Sequence, residues 1–158
     1  MKTADINNSM DIIDSRDVIA RFEELESERA DLETDIETAQ DDLDNETNAD
    51  ETDALQTILN DAKAALKSWD DDNGDELKSL KDLADQGESY ASDWQYGATL
   101  IRESYFETYA RELVEDIGDL PKELPPYIEN NIDWEGVADE LKADYTSVDF
   151  DGETYLIR

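Results

Sequence analysis

The sequence has no cysteine and no histidine. Without cysteine, disulfides, thiol nucleophiles and thiolate metal sites are excluded. Without histidine, Ser-His-Asp triads, imidazole proton shuttles and the usual zinc sites go too. Basic residues are scarce: 13 Lys and Arg stand against 45 Asp and Glu, a formal net charge of -32. Glycine is sparse, at 6 residues, and no Gly-rich phosphate loop exists. No apolar run approaches the length that spans a membrane. The opening MKTADINNSMDIID lacks the apolar core of a secretory signal. These absences predict a soluble, intracellular protein with no cofactor, no metal and no membrane partner. The charge repels nucleic acid and anionic headgroups, so direct nucleic-acid binding is not expected and the natural partners are basic surfaces. A halophilic source would also explain an Asp-rich, Lys-poor surface.

What is present starts with a loose lead-in over residues 1–13, in which Ile6, Met10, Ile12 and Ile13 are apolar enough to dock. Asp14 and Ser15 are N-cap candidates, because their side-chain oxygens can accept the free amides of a first helical turn. Val18, Phe22, Leu25, Arg29, Leu32, Ile36, Ala39 and Leu43 then recur at alternating steps of four and three. That is a heptad seam interrupted by Arg29, which either fixes register or snorkels to the acidic flank. The polar stretch LDNETNADETD reads as a loop. A second helix follows, with Leu55, Ile58, Leu59, Ala62, Leu66 and Trp69 on one face. The simplest arrangement is an antiparallel hairpin of the two helices, with homodimerisation left open. Asn73-Gly74 signals a turn. Asp75 would cap a short helix that Gly87 ends. An EF-hand reading fails there, because setting Gly74 at the sixth loop position puts Trp69 where the first Asp must stand.

Residues 88–104 are ambiguous, with Gly97 marking a break. The next helix is expected from Leu100 to Ile117, stopped by Gly118. Pro121, Pro125 and Pro126 hold an irregular connection. Asp133 is an N-cap candidate for a helix with Trp134, Val137, Ala138 and Leu141 inward. The chain closes on TSVDF-DG-ETYLIR, where Asp151-Gly152 between β-rich runs signals a type I′ hairpin. Val148 and Phe150 should share a face with Tyr155 or Ile157 across from them. The organisation expected is an acidic helical hairpin or coiled coil over 1–72, a connecting helix and aromatic segment over 73–104, and a helix-helix-hairpin module over 105–158. The fold class is α+β, mainly α.

No chemistry stands out. Carboxylates are so abundant that no pair is singled out as a general acid and base, and no nucleophile sits near a base. The chain does not read as an enzyme. Charge pattern says more. An ordinary solvated helix alternates Glu with Lys for i,i+4 pairs. Here Asp and Glu fill more than half of the positions outside the seam, and beyond Arg29 no Lys or Arg stands among them. Duplex DNA carries about one charge per 1.7 Å of axis, and such a helix presents a comparable line of charge.

The C-terminal stretch resembles the ArdA antirestriction family. The matching elements are the helix with Ala110, Glu112 and Leu113, the segment Pro125 to Glu135 with Ile132-Asp133-Trp134-Glu135, Ala138 to Leu141, and the ending Gly152 to Arg158. The resemblance covers about a third of the chain, and the helical front departs from it. It implies an acidic DNA mimic, carried by phages and mobile elements, that occupies the DNA groove of a host restriction–modification enzyme in the bacterial cytoplasm. The helical front leaves a CRISPR effector complex as another target. The partner-binding residues expected are Glu23, Glu24, Glu28, Asp31, Asp35, Asp41, Asp42, Glu112, Glu115, Asp116, Glu135 and Asp139. The alternative is a coiled-coil adaptor that binds through its apolar seam, its acid serving only solubility.

Overall fold

A computed structural model describes residue 3 and residues 5–158. The chain divides into two compact units, one of Ala20–Lys81 with Thr3, the other of residues 5–19 and Asp82–Arg158.

Helix α1, Ser15–Asn45, begins where Asp14 accepts the Arg16 backbone N–H at 2.8 Å on its side chain, an N-cap bond. Every residue of the heptad seam is buried or half-buried. Helix α2 runs Ala49–Tyr90. The expected eleven-residue loop between them shrinks to Glu46–Asn48. There the Glu46 carboxylate accepts the N–H groups of Thr47 at 2.8 Å and Asn48 at 2.6 Å, which pulls its pKa down.

In the first unit the helices run antiparallel, as the cross-helix bonds show. Arg21 donates to Glu76 at 2.7 and 3.0 Å, Arg29 to Asp70 at 2.9 Å, and the Trp69 indole to Glu28 at 3.0 Å. Leu25, Ala39, Leu59 and Leu80 are buried between them. Arg29 thus reaches across the hairpin. Ile58, expected on the inner face of α2, is 55% exposed.

The turn expected at Asn73-Gly74 does not occur, nor does the short helix from Asp75 to Gly87: α2 is continuous through both. A helical glycine costs only about 1 kcal/mol. The seven-residue phase Leu59, Leu66, Leu80 and Ala62, Trp69, Leu83 carries the helix across the Asn-Gly pair. Gly87 caps nothing. A Cβ there would lie 2.2 Å from the Trp94 ring, so this glycine makes room for the indole.

The second unit is built on a four-stranded antiparallel sheet of order β1-β2-β4-β3. The strands are β1 Ile12–Asp14, β2 Thr99–Arg102, β3 Thr146–Phe150 and β4 Glu153–Ile157. The lead-in therefore docks as an edge strand. Leu100 and Ile101, expected to open a helix, lie in β2. The single-turn helix α3, Trp94–Gly97, precedes β2; a 3₁₀ turn, helix α4, Phe106–Asp116, and the short helix α5, Pro126–Glu129, follow it. Gly118, with φ of 80°, stops that helix as expected. Asp133 caps α6, Trp134–Lys142, by accepting the Gly136 N–H at 3.0 Å. The β3-β4 hairpin turns on Asp151 and Gly152 at φ of 49° and 80°, the type I′ signature. Val148 pairs with Tyr155 on a buried face.

On the opposite face Ile101, Phe106, Ala110, Ala138 and Leu156 form one core cluster, with Tyr105, Tyr109, Leu141 and Tyr145 packed on it. The outer edge of β3 is covered. The side-chain amide of Gln86 accepts the Asp149 N–H at 2.9 Å and donates to the Asp149 carbonyl at 3.0 Å, so one glutamine acts as a further strand against β3. The Arg102 N–H donates to the Asp11 carbonyl at 2.8 Å, which extends the β1–β2 pairing by one bond.

Candidate protein-binding acidic surface

The acidic surface follows from the heptad. Burying Leu25, Leu32, Ile36 and Ala39 inside the hairpin turns most other positions of α1 beyond Glu24 to water. Glu23, Glu28, Asp31, Asp35, Asp41 and Asp42 are all exposed, and Glu24 is half-buried. Glu24, Glu28, Asp31, Asp35 and Asp42 fall within a narrow angular stripe at helical spacing.

Within that stripe the roles differ. Glu24 accepts from Arg21 at 2.9 Å and from the Thr3 hydroxyl, and those hydrogen bonds, Thr3 foremost, hold its pKa below the ordinary value. Glu28 holds the Trp69 indole. These two carboxylates belong to the hairpin's own structure. Asp31, Asp35, Asp41 and Asp42 have side chains that meet no hydrogen-bond or ionic partner among the described residues. They point only at solvent.

The signal the heptad reading missed is Arg21. It is 8% exposed and tied to Glu24 and Glu76, with Glu76 the first cause of its raised pKa. The i,i+3 pair of Arg21 and Glu24 was visible in the sequence; the partner 55 residues away was not. The cations of the hairpin's first helix are thereby consumed near its base. Between Arg29 and Lys63 there is no Lys or Arg, while twelve Asp and Glu occur. Spread along the roughly 24 Å that Ala30 to Asn45 span at about 1.5 Å per residue, they give about one charge per 2 Å. That spacing is close to the 1.7 Å of duplex DNA.

The remaining expected residues lie in the second unit. Glu112, Glu115 and Asp116 are on α4, and Glu135 and Asp139 on α6, all exposed. Glu115 is paired with Arg111 at 3.2 Å, Asp139 sits 3.8 Å from Lys142, and Glu112 accepts weakly from the Tyr105 hydroxyl at 3.5 Å. Asp116 and Glu135 have no such partner among the described residues. Arg111 also bonds Glu129 at 3.2 Å and lies 5.3 Å from the centre of the Trp134 ring. These basic groups are engaged by carboxylates or rings. No helix among the described residues is long and apolar enough to cross a membrane.

The family profile described as Antirestriction protein (ArdA) matches residues 3–154. The chain belongs to the ArdA antirestriction family. The match corrects the narrower expectation, since it takes in the helical front as well as the C-terminal third. Acidic heptads carry few distinctive residue types, so the front gave no motif by which to read the kinship. No curated protein and no solved structure matches the chain.

Proposed function

We propose that this ArdA-family chain inhibits a DNA-binding host-defence enzyme by mimicking DNA, and that a restriction–modification enzyme is its target in the bacterial cytoplasm. One observation carries the reading: the closed end of the α1-α2 hairpin presents an unbroken acidic run at nearly the linear charge density of a duplex. A protein groove that releases counterions when it takes up DNA gains the same release from this surface. The chain acts by occupancy, and no residue is assigned a catalytic role. Asp31, Asp35, Asp41 and Asp42 are the residues assigned to the contact on α1, with Asp116 and Glu135 on the second unit. The adaptor alternative needs a free apolar seam. In this fold α2 already covers the seam of α1, and no second copy is required to bury it.

The test is charge reversal at positions that support nothing else. The triple variant Asp31→Lys, Asp35→Lys, Asp42→Lys should keep the circular dichroism spectrum of the parent. It should lose inhibition of the enzyme by more than about tenfold, as three reversed contacts at a fraction of a kcal/mol or more each imply. Glu24 and Glu28 are left alone, because reversing them breaks the Arg21 and Trp69 contacts. A folded triple variant that inhibits like the parent counts against the hairpin as the contact surface.

A further inference from the structure

The corner between α2 and β2 is anchored more firmly than an exposed turn requires. Helix α3, Trp94–Gly97, is a single turn. The buried Ser15 hydroxyl donates to the Trp94 carbonyl at 2.5 Å and accepts the Ala98 N–H at 2.8 Å. The Ser15 N–H donates to the Ala98 carbonyl at 2.9 Å. The Trp94 ring is 1% exposed and seated against Gly87. Between these anchors stands Tyr96, 81% exposed, the most exposed of the large apolar side chains. Beside it is a depression of about 390 Å³ lined by Glu88, Ala91, Ser92, Trp94, Gln95 and Tyr96. The side chains of Glu88, Ser92 and Gln95 have no hydrogen-bond partner among the described residues.

A line of mimicked phosphates has no use for an exposed aromatic ring on an anchored turn. We infer that this depression is a notch for an arginine side chain of the basic partner. The guanidinium stacks on the Tyr96 ring and gives its N–H groups to the Glu88 carboxylate, with Ser92 and Gln95 as further acceptors. Three features select this occupant. The chain's charge excludes anions and nucleic acid. An apolar side chain would make no use of the acceptors that Glu88, Ser92 and Gln95 present around the notch. A planar, weakly hydrated guanidinium stacks and bonds in a fork, whereas a lysine ammonium offers a compact charge to the same site. The bonds from Ser15 to Trp94 and Ala98 fix the backbone on either side of Tyr96, so the chain around the notch is ordered before binding. The inference rests on the proposed function only in taking the partner to be basic.

The experiment is an amide-shift titration of the full chain by nuclear magnetic resonance. The probes are N-acetylarginine amide and N-acetyllysine amide, at about 0.5 M NaCl, where the Debye length is only a few Å and diffuse attraction to the hairpin is suppressed. The arginine probe should move the amides of Glu88, Ser92, Gln95 and Tyr96, with a Kd about two- to fivefold below that of the lysine probe. Tyr96→Ala should erase that preference, Tyr96→Phe should keep it, and Glu88→Gln should weaken both probes. Tyr96 supports no core packing, and unchanged dispersion elsewhere in the spectrum certifies the fold. Equal affinity for the two probes overturns the inference. So does a preference that survives Tyr96→Ala, or shifts spread along α1 and sparing α3. None of these readings depends on whether the chain inhibits a nuclease, so failure of the notch and failure of the mimicry reading are separable.

Discussion

Single residues in this fold carry sharply unequal weights, and burial decides which. Gly87 is the clearest case, since a methyl group there would sit 2.2 Å from a ring that is 1% exposed. Gly87→Ala should cost about 1–3 kcal/mol, as overpacking does, and read out as a lowered urea midpoint. Gly74→Ala, with nothing within 4 Å of the added carbon, should stabilise by roughly 0.5–1 kcal/mol through helix propensity. A Gly87→Ala variant as stable as the parent would refute the packing account of Trp94. The tyrosines make a second case. Burial, above all, and the hydrogen bond with Tyr109 push the Tyr145 phenol up to about 12, and burial likewise raises Tyr105 and Tyr155. The folded state then holds protons that the unfolded chain has released above its ordinary phenol pKa of about 10. Stability from Tyr145 is therefore full below pH ~10 and is lost as pH rises toward ~12, by less than about 1.4 kcal/mol per pH unit, and Tyr155 and Tyr105 act in the same direction. Partial exposure of Tyr145 shrinks its share. Denaturant melts between pH 9 and 12 should show the fall, and Tyr145→Phe should flatten it.

Among the elements, Gln86 shows how a helix finishes a sheet. Its amide takes both polar groups of Asp149 on the outer strand. Gln86→Ala should cost about 1–2 kcal/mol for the two bonds and bare the β3 edge to pairing with another chain. Sedimentation of the variant should show association beyond that of the parent; a variant that sediments like the parent and matches its stability would mean that water replaces the amide without loss. No feature of the sequence announces this contact. What was legible were the elements with strong local codes: the heptad of α1, the cap at Asp133, the stop at Gly118 and the Asp151-Gly152 turn. What was not legible depends on distant pairing. Strands β1 and β2 are three and four residues long and meet across the whole hairpin. Leu100 and Ile101 therefore looked like the start of the helix that in fact begins at Phe106. Asn73-Gly74 carries turn chemistry that the heptad phase of α2 overrides. The acidic site was readable as composition. Its division into structural carboxylates such as Glu24 and free ones such as Asp31 required the buried Arg21.

At the scale of the whole molecule, charge sets two opposed dependences on salt. A net charge of -32 over 158 residues makes the compact state self-repelling. The cross-helix pairs at Arg21 and Arg29 offset that near the hairpin's base, but nothing cationic does so between Arg29 and Lys63. Screening at 0.5 M NaCl weakens both terms, and the repulsion involves many more groups. The thermal midpoint should therefore rise between about 0.05 and 0.5 M NaCl. A midpoint that falls would mean that the ion pairs outweigh the repulsion. Association with a basic groove has the other sign. Direct binding of the chain to its target enzyme, measured without DNA, should weaken over the same range, with a linear fall of log affinity against log salt as for DNA itself. Charge serving solubility alone predicts the first dependence without the second. A stability that climbs while affinity stays level would therefore remove the physical basis for mimicry. The two slopes with opposite signs in one protein would tie the acidic run to its partner's cations.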